Sequence, residues 1–174
     1  MKHLASERPP AIDNEEKECT NTAAFPATSS PSPFASWKIN HAGIRVPDFD
    51  IAAAWYSEKL DFRVKLSWSI GEKKFGFLFL ATDDSFSLEL IAGPGAENRP
   101  SYKDLGSSLG MSGWHHVCLR VDNVAEAIAE LKRRGVTIIS EPRDVREIGR
   151  RFAFFADPWG NLFELIQLSS EDNN

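Results

Sequence analysis

"INHAGIRVPDF", residues 39–49, and "HHVCLRVDN", residues 115–123, are two versions of one pattern, and their reading decides the fold. In the first, Asn40, Ala42, Ile44 and Val46 fall on one side of an alternating run and Ile39, His41, Gly43 and Arg45 on the other. A period of two is a strand, expected over about 38–46, with His41 and Arg45 pointing the same way. Pro47 and Asp48 stop it. Phe49, Ala53, Tyr56 and Leu60 then recur at helical spacing, and further strands are expected at about 63–69, 74–82 and 85–92.

The pattern restarts after a connector, 93–112, punctuated by Gly93, Pro94, Gly95, Pro100 and Gly106. A strand at 114–121 sets His116, Cys118 and Arg120 on one face and Val117, Leu119 and Val121 on the other. Val124, Ala127, Ile128 and Leu131 give a helix closed by Gly135, and strands follow near 136–140, 150–156 and 161–168. The offset can be counted. His116 follows His41 by 75 positions, Val121 follows Val46 by 75, and Glu164 in "LFELI" follows Glu89 in "SLELI" by 75. A shared register of this kind marks an internal repeat. The expected fold is therefore α+β: two tandem βαβββ modules, 37–92 and 113–168, in one domain over 37–168.

Residues 1–36 carry Pro9, Pro10, the run "DNEEKE" and "TSSPSP" without apolar periodicity, and are expected to form a disordered tail; 169–174 are expected as a short C-terminal tail. At 42% hydrophobic and 26% charged residues, the 174-residue chain has enough apolar material for one core. Acidic residues number 25 against 20 basic ones, so no basic face for nucleic acid is expected. Only two cysteines, no apolar run near the roughly 20 residues of a membrane span and no apolar centre in "MKHLASERPP" argue for a cytoplasmic protein away from membranes.

Each module thus offers a histidine near its start and a glutamate in its last strand, both among apolar neighbours. Burying an ionised carboxylate costs several kcal/mol unless something pairs with it. Two carboxylates and two imidazoles suit a divalent metal such as Zn, Ni, Co, Fe or Mn. Such an ion acts as a Lewis acid while a glutamate moves a proton beside it.

"NHAGIRVPDFDIAAAWYSEKLDF", "HHVCLRVDN" and "FFADPWGNLFELIQ" resemble the vicinal oxygen chelate (VOC) superfamily, which includes glyoxalase I, methylmalonyl-CoA epimerase, extradiol dioxygenases and the bleomycin and fosfomycin resistance proteins. The resemblance covers about 38–168. It implies a cleft or half-barrel built by the two modules, a small-molecule substrate and a homodimer. It also implies one divalent ion held by His41, Glu89, His116 and Glu164. The order His, Glu, His, Glu resembles bacterial glyoxalase I, a lyase acting on the hemithioacetal of methylglyoxal and glutathione through an enediolate. On that analogy Glu164 is the proton-transfer base and Glu89 a ligand or second base. Arg45 stands where the family meets a glutathione carboxylate, and Arg120 is its counterpart in the second module; each either binds a substrate anion or neutralises a ligating glutamate. Gly93 and Ser112 stand where that family has asparagine and arginine. The alternatives are an epimerase of the methylmalonyl-CoA type and a ligand-sequestering resistance protein without catalysis.

Other residues are assigned structural places. His115 is expected on the opposite strand face as a packing or surface residue, and Cys118 as a small apolar filler. Trp68, Phe75, Phe77 and Phe79 are assigned to the core, Trp159 to the cover of an edge, and Arg150 and Arg151 to solvent.

Overall fold

The computed structural model describes residues 33–168, so residues 1–32 of the tail expected over 1–36, and the tail at 169–174, lie outside the described residues. Pro33–Ser36 form a single 3-10 turn ahead of the first module. Module one runs β1 (His41–Val46), α1 (Phe49–Leu60), β2 (Phe62–Ile70), β3 (Lys73–Leu80) and β4 (Ser87–Ala92). Module two runs β5 (His116–Arg120), α3 (Val124–Arg133), β6 (Thr137–Val145), β7 (Arg150–Ala156) and β8 (Leu162–Leu168), after a short connector helix α2 (Leu105–Ser108). The sheets have the orders β1-β4-β3-β2 and β5-β8-β7-β6, with the same parallel pairing of first and last strands. The duplicated βαβββ architecture is therefore present, and β6 continues to Val145, well past the expected stop.

Local chemistry sets the helices. Asp48 caps α1 by accepting from the Ile51 amide, and Asp61 ends it in the left-handed region at φ 59°. Asn123 caps α3 by accepting from the Ala125 and Glu126 amides. Each helix covers one face of its sheet. Gly76 in β3 faces α1 because a Cβ there would lie 2.6 Å from the Phe49 ring. Neighbouring Phe75, Phe77 and Phe79 must then point to the other, open face.

One buried cluster joins the modules, drawing Ile44, Tyr56 and Leu90 from the first and Ile128, Phe155 and Phe163 from the second. Tyr56 lies at its centre. Its ring stacks on Trp159 at 6.1 Å, which makes Trp159, 8% exposed, part of the core instead of the cover of an edge. Arg134 adds a polar tie between the helices, donating to Asp61 and to the carbonyls of Glu58 and Lys59.

A smaller cluster, Ile139, Phe154, Ala156 and Leu162, lies on the open face of the second sheet. The connector covers it with Tyr102 and Leu105. α2 was not visible to periodicity because a four-residue helix shows none; its signal is the capping box of Asp104 with Ser107.

A candidate metal centre built from two His–Glu pairs

Parallel pairing of first and last strands places the chemistry. In module one Gly43 is the Cα partner of Glu89, and His41 Nε2 stands 3.5 Å from Glu89 Oε2. In module two Cys118 is the partner of Glu164, and His116 Nε2 stands 3.0 Å from Glu164 Oε2. Both carboxylates keep 17% of their side-chain surface in solvent, while the imidazoles keep 38% and 31%. A phenylalanine completes each half. Phe77 opposes Glu89 and meets the His41 ring at 5.3 Å; Phe154 opposes Glu164 and meets the His116 ring at 5.1 Å.

The two halves stay separate. Among the described residues, no three His, Cys, Asp or Glu side chains converge on one point as metal ligands do. The four expected ligands are thus brought together two by two. Within each pair the donor chemistry fits a cation: an imidazole nitrogen faces a carboxylate oxygen across 3.0 to 3.5 Å, and two bare acceptors at that separation need a proton or metal ion between them.

Several residues have places the sequence did not suggest. Trp68, Phe75 and Phe77 form an aromatic wall on the open face beside His41, with Trp68 and Phe75 stacked at 5.4 Å and 9°. These aromatics are on the open face and not in the core, because Gly76 is the position of β3 that touches α1 at Phe49 and its odd-numbered neighbours point away. His115 is not on an opposite strand face: it precedes β5, and its Nδ1 lies 2.8 Å from His116 Nδ1. Its other ring nitrogen meets Ser108 Oγ at 2.9 Å. Burial lowers the His115 pKa, and the charges of His116 and Arg99 push it the same way. Asn40 plays the matching part in module one, its Oδ1 lying 2.8 Å from His41 Nδ1.

Arg45 is committed to the main chain. Its guanidinium donates to the carbonyls of Val46, Ile91, Gly93 and Pro94, clamping the exit of β4. Arg120 sits exposed at the end of β5, on the side of His116 and Cys118. Cys118 is exposed, not a filler, and its thiol is pushed up to about 12 by burial of the sulfur and then by Glu164, whose carboxylate accepts its hydrogen bond. Arg151 pairs with Asp144 at 3.0 Å. No helix among the described residues is long and apolar enough to cross a membrane.

A duplicated βαβββ protein with one imidazole–carboxylate pair at the same place in each sheet is the class this geometry defines. Residues 38–165 match the model of the Glyoxalase/Bleomycin resistance protein/Dioxygenase superfamily, and the chain belongs to that superfamily. It is 29% identical over 156 residues to a lactoylglutathione lyase of Schizosaccharomyces pombe, an alignment covering 81% of this chain and 51% of the yeast protein. The chain therefore spans about half the length of that relative. It is 30% identical over 132 residues to human mitochondrial methylmalonyl-CoA epimerase, covering 75% of this chain and 73% of the human one. A glyoxalase family protein of Enterococcus faecalis shares the fold with a TM-score of 0.61 at 28% identity, over 75% of this chain and 97% of its own.

Proposed function

We propose that the protein is a divalent-metal-dependent lyase or isomerase of the glyoxalase I type, acting on a hemithioacetal or related small carbonyl compound. One observation carries the reading: two histidine–glutamate pairs at equivalent strand positions of a duplicated fold, His41 with Glu89 and His116 with Glu164. These four residues would hold one ion of the Ni, Zn, Co, Fe or Mn class, and the ion when bound would supply Lewis acidity to a substrate carbonyl. Because each pair stands alone in its own sheet, we take the active form to be a homodimer whose copies contribute one pair each.

The chain's own residues do the proton chemistry. Glu164 takes the proton from the carbon beside the carbonyl and returns it to the neighbouring carbon. The rearrangement is internal and needs no external oxidant. Glu89 is the second carboxylate, a ligand or a second base. The Cys118 thiol donates to Glu164 and stays protonated at neutral pH, so it steadies the base without competing as a nucleophile. Arg120 takes the anionic end of the substrate, being on the same strand face as His116 at the end of β5. Trp68 and Phe75 offer an apolar wall for the rest of it.

A second reading, an epimerase acting beside a thioester carbonyl, is favoured by the longer share of the human epimerase that the chain spans. The same residues serve it, with the proton returned to the opposite face of one carbon. Turnover of the methylglyoxal–glutathione hemithioacetal, followed as thioester absorbance, and deuterium uptake into methylmalonyl-CoA separate the two. Protein loaded with each metal in turn should catalyse one of them, and Glu164→Gln should lower kcat at least 100-fold. Failure of both reactions with every metal would leave the ligand-sequestering role of the resistance proteins.

A further inference from the structure

The residue just before each candidate ligand histidine bonds that histidine's other ring nitrogen. In module one the partner is the side-chain oxygen of Asn40, which only accepts, so His41 Nδ1 carries a proton and Nε2 is the nitrogen turned to Glu89. In module two the partner is another imidazole, His115, and the question is which of two facing nitrogens holds the proton.

Ser108 answers it. Its hydroxyl lies 2.6 Å from the Leu105 carbonyl, which can only accept, so the single hydroxyl proton is donated there. At the 2.9 Å contact with His115 the serine oxygen must therefore accept, and His115 Nε2 must carry the proton. A neutral His115 then has a bare Nδ1. The 2.8 Å contact between the two Nδ1 atoms requires His116 to donate, so Nε2 is the nitrogen turned to Glu164 and free to take a metal ion. Ser108 is itself held in place, being 1% exposed at the end of α2, whose start is fixed by the Asp104–Ser107 capping box.

We propose that Ser108 and His115 are positioning residues that fix His116 in the tautomer with its proton on Nδ1, so that the connector helix sets the metal-binding nitrogen. The inference rests on His116 being a ligand, as read above. It gives the connector a task beyond joining modules: the segment that covers the second sheet also orients one corner of the site. Outer partners of ligating histidines are generally worth 10–100-fold in metal affinity.

The test reads the ring nitrogens directly. In metal-free protein nitrogen NMR should show His116 protonated at Nδ1, with Nε2 sharing a proton with Glu164 until a metal ion replaces it. Chelator competition with Zn should show His115→Leu and Ser108→Ala binding about 10-fold more weakly or worse. His115→Asn, which transplants the arrangement of Asn40, should return affinity to within about threefold of wild type. A His116 Nδ1 without a proton, or an Asn variant no better than Leu, would overturn the proposal. Wild-type protein that binds no metal yet shows the stated tautomer would support the positioning and defeat the functional reading instead.

Discussion

Tyr56 in α1 donates its hydroxyl proton to Asp157 of the second module over 2.6 Å, across 101 positions of sequence, and the contact is buried. Burial pushes the Asp157 carboxyl up, while donation from Tyr56, Asn161 and the Trp159 amide pulls it back. The Tyr56 hydroxyl is driven well above its usual range, first by burial and then by the Asp157 charge. Tyr56→Phe keeps the ring in the stack with Trp159 and removes only this donor. The variant should lose about 1–3 kcal/mol, read as a lower urea midpoint. An unchanged midpoint would show that this hydrogen bond adds nothing to the packing that joins the modules.

Arg45 makes a second testable tie. Four main-chain carbonyls accept from one guanidinium, a planar fork that lysine cannot reproduce. Both Arg45→Ala and Arg45→Lys should cost about 2 kcal/mol, with lysine little better than alanine. Metal affinity should stay within about twofold of wild type. A KM effect without a stability loss would return Arg45 to the substrate.

The aromatic wall predicts the opposite balance. Trp68 stacks on Phe75 at the open face, so Trp68→Ala should cost only about 1 kcal/mol in thermal unfolding, where a core tryptophan loses 3–5. The same change should raise KM for the active substrate. A core-sized loss of stability would contradict the open-face placement.

Cys118 supplies a pH test. Its folded pKa is pushed up to about 12, against an ordinary value of 9.0, so between those limits the unfolded thiol ionises while the folded one keeps its proton. Alkylation at pH 9 should be at least 10-fold slower in native than in urea-unfolded protein, despite the exposure of Cys118. The sign for stability follows: this contribution is fully present below pH 9 and is lost as pH rises toward 12. Glu164→Gln should speed native alkylation by removing the neighbouring charge.

Much of this was legible in the sequence because the repeat speaks twice. A period of two, an offset of 75 and one histidine and one glutamate in the same register placed β1, β4, β5 and β8 and the two pairs. What period alone cannot say is which face of a strand meets the helix. The facing of Phe75 and Phe77 depends on the contact of Gly76 with Phe49, and that of Trp159 on Tyr56 reaching across modules. The partnership of His115, His116 and Ser108 depends on side chains bending toward one another at the mouth of β5, and α2 is too short to announce itself.

The most direct test of the central claim is metal content, by plasma mass spectrometry on protein purified without an affinity tag and then incubated with Ni, Co, Mn or Zn. Wild type should carry near-stoichiometric metal, and His41→Ala and His116→Ala should each lose it, because each removes one nitrogen from a different pair. Wild-type protein without metal after every incubation, or either variant loading as wild type does, would contradict a centre shared by the two pairs.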